Sequence, residues 1–441
     1  MGGCCSINIR YGSCMEEEIE QEEWYRNGEK EADVLRAGDY GATVRLQGSS
    51  KNISMYTQQG RKGLNQDAMT VWERFAGNKD IVFCGVFDGH GPAGHKIARH
   101  VRDNLPSKLS SAIKQSRVNG SLRGDVDVAA GIKRNYEDNS NSTKYGQSPF
   151  FRSWKASLIK AFDAVDEELS MESAMDSYCS GTTAVNIIKQ GEHLVIANLG
   201  DSRAVLCTRD DKNQLVPVQL TTDLKPDVAT EAERIRNCQG RVFAIDEEPD
   251  VFRLWMPDDD CPGLAMARAF GDFCLKDYGL ISIPEITYRK LTRNDEFVVL
   301  ATDGVWDVLT NHEVIWTIAC AGKREIAAKL LVHRAVRAWK TKYPGSKIDD
   351  CAVVCLFLGR KPLLTKSKSD MSYCSSISHL DLSVSNCGSH GGRSIPDSIN
   401  GRIRKEEYSA LKGVSRVNSL VKLPRGLSRR ISGKPDEDIA A

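Results

Sequence analysis

The chain has no apolar run long enough to span a bilayer, no stretch that reads as a secretory signal, no Cys-x-x-Cys pair, and no surplus of either charge. Each absence removes a class. Without a run of about 20 apolar residues the chain is expected not to cross a membrane. Its 60 Lys and Arg against 59 Asp and Glu give no sign of wholesale nucleic-acid binding, so any electrostatic argument must be local. Fourteen cysteines scattered over 441 residues without paired spacing do not read as a disulfide or zinc framework, and imply a reduced, intracellular setting. Cys351 and Cys355, four apart in an apolar run, fall on one face of a strand and read as core thiols. What remains, 41% apolar and 27% charged, is a globular chain able to bury a sizeable core.

Three regions follow from texture. Residues 1–50 read as a disordered leader and acidic linker. Its start, Met1-Gly2-Gly3-Cys4-Cys5-Ser6, fits myristoylation of Gly2 with Cys4 and Cys5 open to palmitoylation, a two-signal anchor. The expected location is therefore the cytoplasmic face of the plasma membrane, or cytoplasm or nucleus if the chain is not acylated. Residues 51–360 form the folded domain, with strand-like runs at 81–87, 183–188, 193–198, 203–206, 296–301 and 352–358. Helices are expected at 95–105, 151–171, 229–238, 312–321 and 323–342. In the second of these Trp154, Leu158, Phe162, Val165 and Leu169 mark one buried face. Residues 107–149, polar and rich in Ser, Asn, Gly and Lys, read as a surface insertion. Residues 361–441 read as a Ser-rich, basic, disordered tail, in which Arg416-Val417-Asn418-Ser419 and Arg429-Arg430-Ile431-Ser432 resemble sites for basic-directed kinases. Hairpin-like strands with long helices elsewhere imply antiparallel sheets covered by helices, an α+β architecture.

The Gly89-His90-Gly91-Pro92-Ala93-Gly94 stretch satisfies the dinucleotide fingerprint Gly-x-Gly-x-x-Gly. That reading fails on context. The following helix runs into the polar stretch rather than a second strand, and Asp88 stands where it would repel a pyrophosphate. The more telling pattern is a set of acidic residues at strand ends: Asp67, Asp88, Asp201, Asp272, Asp303 and the pair Asp349-Asp350. One Asp-Gly after a strand is an ordinary turn. Several carboxylates gathered at one end of a sheet would raise one another's pKa and destabilise the fold unless cations neutralised them. Oxygen ligands favour Mg²⁺ or Mn²⁺ over zinc. Glycine after Asp88 would let its carbonyl turn toward an ion.

Taken in order, Lys62 to Ala68, Val86-Phe87-Asp88-Gly89-His90-Gly91-Pro92, Ser180-Gly181-Thr182-Thr183-Ala184, Asn198 to Ala204, Leu264 to Asp272, Leu300 to Asp307 and Asp349 to Val354 resemble the motifs of the metal-dependent type 2C (PPM-type) protein phosphatases, most closely plant members. The resemblance covers roughly residues 54 to 359. It implies a four-layer αββα sandwich, two packed antiparallel sheets flanked by helices, with a dinuclear metal site at one end. It further implies a protein serine/threonine phosphatase in which hydroxide bridging two Mg²⁺ or Mn²⁺ ions attacks phosphorus without a phosphoenzyme. Asp88 would bridge the ions, the Gly89 carbonyl would bind the first, and Asp303 and Asp349 would complete the second. Asp201 and Asp307 match positions that hold a third, weaker ion in some members, and Asp67 lies in the same motif set. His90 matches the proposed general acid, a role suited to an imidazole. Phosphoproteins are the implied substrates, with no nucleic-acid partner and a monomeric state.

Two positions depart from that pattern. Gln66 stands where the family often has Glu, replacing a carboxylate near the second ion with an amide. Lys62, preceded by Arg61, aligns with the phosphate-binding arginine and supplies charge without the bidentate fork. Two other readings keep distinct expectations: a catalytically silent scaffold that binds phosphoproteins at a membrane, and a metal-dependent nuclease or small-phosphoester hydrolase with a basic groove or stacking aromatics.

Overall fold

A computed structural model describes residues 34–122, 148–172, 175–246, 248–359 and 419–421. Its framework is two antiparallel sheets that share one strand. Thr43–Ser50 pairs through its first residues with Ala68–Glu73 and through its last with Ile53–Gln58, so the two sheets form one continuous path. The first sheet continues through Ile81–Phe87, Ala184–Gln190, His193–Leu199 and Glu285–Lys290. The second runs from Ile53–Gln58 through Cys351–Phe357, Asp295–Ala301 and Arg203–Arg209 to Leu215–Gln219.

Side-chain alternation explains the layering, because successive residues of a strand face opposite sides. One face of each sheet meets the other in a core that includes Met55, Val71, Val86, Ile187, Val298 and Val354. The outer face of the first sheet is covered by the helices Gly94–Leu122 and Pro149–Met171, the outer face of the second by Asn311–Ala319 and Ala327–Lys342. The result is the expected αββα sandwich. All five stripe residues of the Pro149–Met171 helix are buried, and so are Cys351 and Cys355.

The structure moves three boundaries. Ordered structure begins before residue 51: Val34–Ala37 pairs with Thr43–Ser50, the strand that joins the sheets. That strand was hidden because Gly48, Ser49 and Ser50 at its end read as linker. The supposed insertion at 107–149 is helical as far as Leu122, with Leu105, Leu109, Ala112 and Ile113 buried at spacings of three and four. Pro106 suggests a helix end, but burial of this stripe outweighs the lost backbone hydrogen bond. Finally, Leu420–Val421 in the tail forms a strand. Gly2, Cys4 and Cys5, and most of the tail, lie outside the described residues.

Candidate active site

Three small structural devices bring the acidic residues together. Asp88 follows the central strand Ile81–Phe87, and its main chain is tied by Thr183 N–H and Thr182 Oγ1, both donating to Asp88 O, while Asp88 N–H donates to Thr183 Oγ1. Asp303 opens the short helix Asp303–Trp306 directly after the strand Asp295–Ala301. Asp349 and Asp350 immediately precede Cys351–Phe357, the neighbour of Asp295–Ala301 in the sheet. Adjacent strands thus end in adjacent carboxylates.

Gly89 serves this arrangement in a way the sequence does not suggest. Its φ lies outside the left-handed region. A Cβ there would stand 2.5 Å from Gly94 O and 2.7 Å from Gln66 O, so glycine is required by the closeness of three backbone segments. Gln66 likewise has an unforeseen role. Its Nε2 donates to Gly91 O at 2.8 Å, a bond an ionised glutamate could not make, and its own N–H is held by Asp350 Oδ2. The amide thus braces the Asp88-to-Gly91 turn.

Asp67, Asp201, Asp303 and Asp307 are buried, whereas Asp88 and Asp349 are partly open and mark the mouth of the basin. Burial and mutual repulsion push all six carboxyls above the usual carboxylate range, Asp349 to about 6. Asp67 Oδ2 accepts from Thr302 Oγ1 at 2.8 Å. Asp201 Oδ1 and Asp307 Oδ2 are buried without a hydrogen-bond partner among the described residues. Such orphaned anionic oxygens are what a hard cation satisfies, and the donor set fits Mg²⁺ or Mn²⁺.

Among the described residues no three acidic, imidazole or thiolate side chains are already closed around a single point. Lys62 accounts for part of this, because its ammonium is ion-paired with Asp349. Burial acts to lower the Lys62 pKa, but Asp349, Asp303 and Asp88 outweigh it and raise the value. Lys62 therefore sits among the carboxylates rather than on a free phosphate-binding surface, and a cation at Asp349 would displace it outward. Lys225, which sequence reasoning missed, answers the same field from the other side: burial lowers its pKa, and Asp307, Asp201 and Asp223 more than compensate.

His90 is 3% exposed, and its Nε2 lies 2.5 Å from Oδ2 of Asp272, which is fully buried. Asp272 takes a left-handed conformation, φ 49°, between the strand Phe270–Gly271 and the helix Phe273–Lys276. The Gly89–His90 strand pairs with Gly181–Thr182, which pairs with Phe270–Gly271, so one small sheet fixes both partners. Nδ1 of His90 has no partner among the described residues. Asp272 stood out in the sequence only as one more acidic residue after a glycine. A pairing across 182 positions leaves no local signal.

A family model described as Protein phosphatase 2C matches residues 52–341. An Arabidopsis thaliana relative, Probable protein phosphatase 2C 65, is 55% identical over 366 residues, 82% of this chain and 89% of its own length. A rice relative (Oryza sativa subsp. japonica), Probable protein phosphatase 2C 73, is 51% identical over 381 residues, 85% of this chain and 87% of its own. The crystal structure of a serine-threonine phosphatase 2C from Toxoplasma gondii superimposes with a TM-score of 0.60 at 22% identity, covering 74% of this chain and 99% of that one, which supports the fold. Magnesium or manganese dependence is general in this family. The chain belongs to the protein phosphatase 2C family and is a protein serine/threonine phosphatase.

Proposed function

We propose that Asp88, the Gly89 carbonyl, Asp303 and Asp349 would hold two Mg²⁺ or Mn²⁺ ions in this basin. Asp201 and Asp307 are placed to take a weaker third ion, and Asp67 supports the ligands from behind through its bond to Thr302. The reading rests on one observation: a buried set of carboxylates whose repulsion the chain's own lysines only partly offset. When bound, the ions supply the Lewis acidity that makes water nucleophilic at neutral pH and absorb phosphoryl charge.

The chain's own residues do the rest. Asp272 holds the His90 ring by Nε2 and leaves Nδ1 as the nitrogen that would take up a second proton from solvent and pass it to the departing serine or threonine oxygen. Lys62, once released from Asp349, is placed at the mouth to meet the substrate phosphate as a point charge. The nearby hydroxyls take part in structural hydrogen bonds: Thr182 Oγ1 donates to Asp88 O, Thr183 Oγ1 pairs with Ser202 Oγ, and Ser180 Oγ accepts from Ala93 N–H. Water attacks directly. The purified chain is expected to hydrolyse a phosphothreonine peptide in Mn²⁺ or Mg²⁺ and to lose that activity in EDTA. Equal rates with and without chelator would refute the metal-dependent reading, and no turnover under any condition would favour a silent scaffold.

The N-terminal acylation signal supports a second proposal, that the enzyme works monomerically at the cytoplasmic face of the plasma membrane on phosphoproteins there. A fluorescent fusion is expected at the cell periphery, and its Gly2→Ala variant in the cytosol. An identical distribution of the two would remove the anchor from the account.

A further inference from the structure

Outside the sandwich lies a smaller sheet in the order Arg241–Ile245, Glu248–Trp255, Gly263–Leu264 and Leu420–Val421. The last strand comes from the C-terminal tail. Its register is antiparallel, Gly263 opposite Val421 and Leu264 opposite Leu420. Ser419 O accepts two bonds, from Ala265 N–H at 2.9 Å and from Arg253 Nη1 at 3.1 Å. Arg253 is fully buried, pairs through Nη2 with Glu248 Oε2 at 2.7 Å, and also gives Nη1 to Gly263 O at 3.2 Å. A buried guanidinium loses stability with each donor left unpaired, and here the tail supplies one of the acceptors for Nη1. Without the tail, Ala265 N–H would lose its acceptor and Gly263–Leu264 would become an open sheet edge.

We propose that Ser419–Val421 is an intramolecular latch that completes this sheet, and that phosphorylation of Ser419 releases it. The occupant is this chain's own tail, seated by main-chain hydrogen bonds in the manner of β-strand addition. Two strand residues would bind weakly from solution. Tethered through residues 360–418, they act at an effective concentration on the order of millimolar, which suits a reversible latch.

Ser419 closes the Arg416-Val417-Asn418-Ser419 motif, so the residue whose carbonyl seals the latch is also the one a basic-directed kinase would modify. In that step Ser419 Oγ bonds to the terminal phosphorus of a nucleoside triphosphate. The bond from that phosphorus to the nucleoside diphosphate breaks, and the hydroxyl proton passes to solvent. The product carries about −1.5 to −2 charges at a partly buried residue beside the Arg253–Glu248 pair. Arg253 already gives Nη2 to Glu248 and Nη1 to two carbonyls, so its charge is largely met, and a dianion at this partly buried position loses hydration beside the Glu248 carboxylate. Kinase access and docking also compete for the same backbone, so each disfavours the other.

The latch lies close to the chemistry along the chain. From Leu264 the buried run Ala265-Met266-Ala267 leads to Phe270–Gly271, the strand joined through Gly181–Thr182 to Gly89–His90. Ala267 N–H also bonds to Leu224 O, and Leu224 N–H to Gly200 O beside Asp201.

Amide hydrogen exchange on the full chain tests the latch. In wild type Ala265 is expected to exchange about tenfold or more slowly than in Val421→Pro, whose residue 421 has no N–H for the ladder. Chain phosphorylated at Ser419 should exchange like Val421→Pro, and kinase-treated Ser419→Ala like wild type. Protection within Arg241–Ile245 and Glu248–Trp255 should persist in all samples, showing that the sheet itself stays folded. Equal exchange at Ala265 in wild type and Val421→Pro would overturn the docking. Unchanged or slower exchange after phosphorylation would overturn the release.

Discussion

Asp88→Asn is expected to lower kcat on a phosphopeptide by about 10³-fold or more, a loss of roughly 4 kcal/mol of transition-state stabilisation. Asp88 is the carboxylate on which the neighbours converge: Asp303, Asp67, Asp349 and Asp201 all raise its pKa, after burial itself. The neutral amide keeps the shape and removes the charge that would hold two cations together. In EDTA the same variant should unfold at a higher temperature than wild type, by about 2–4 °C for each kcal/mol of relieved repulsion. The pH dependence has a definite sign. A carboxyl whose folded pKa is raised leaves wild type and variant alike below its unfolded value of about 3.9, and penalises wild type increasingly as pH rises toward the folded value. The variant's advantage in EDTA should therefore vanish near pH 3.5 and grow as pH rises from there toward the folded value. Saturating Mg²⁺ should reverse the order, because only wild type gains the binding energy. Calorimetry at acid and neutral pH, with and without chelator, and steady-state kinetics in Mn²⁺ decide it. Wild-type turnover, or a lower melting temperature for the variant in EDTA at neutral pH, would show that Asp88 is not at the centre of a cation site.

That pairing of lower activity with higher metal-free stability describes the basin as a whole. Lys62 and Lys225 hold ammonium groups against it from two sides. Their charge moderates the repulsion without removing it, since the carboxyls of Asp88 and Asp307 remain well above their usual range. A basin balanced by fixed lysines alone would be more stable and would have no need of exchangeable ions. The residual imbalance is what would give the proposed cations their affinity.

Much of this was legible in the sequence, for reasons that can be located. Strand-end carboxylates announce themselves because Asp-Gly after an apolar run is visible locally, and sheet adjacency then does the gathering. The helix Pro149–Met171 was readable because its stripe repeats every three or four residues. Readings failed where a long-range contact overrode a local sign. The helix expected to end at residue 105 continues through Pro106 to Leu122, because burial of Leu109 and Ile113 holds its next turns. Gly48, Ser49 and Ser50 looked like linker, yet pair with Ile53–Gln58. Gln66 read as an amide replacing a carboxylate near the second ion, and its bond to Gly91 O could not be seen from sequence. Asp272 and Leu420–Val421 act on partners 182 and more than 150 positions away, where no periodicity can point.

Gly304→Ala should be the most damaging single-methyl change near the site. Gly304 lies in the short helix that begins at Asp303, and a Cβ there would stand 1.9 Å from Asp350 O and 3.1 Å from Cys351 Sγ. Neither neighbour is a flexible tip, because Asp350 is anchored by Gly60 and Gln66 N–H, and Cys351 begins a fully buried strand. Gly304 O is itself pinned by Trp339 Nε1 at 2.7 Å, so the helix cannot retreat freely. The methyl must therefore push the segment carrying Asp303 away from the one carrying Asp349, two proposed ligands of one ion. Overpacking of this kind destabilises by about 1–3 kcal/mol, and at a backbone contact the upper end is expected. Mn²⁺ affinity, read as the half-saturating concentration for activity, should weaken by about tenfold or more, since ligand geometry is what the shift disturbs. Gly322→Ala is the matched control, because a Cβ there meets nothing within 4 Å. If both alanine variants melt and bind Mn²⁺ like wild type, the close approach of the Asp303 and Asp349 segments does not govern the site.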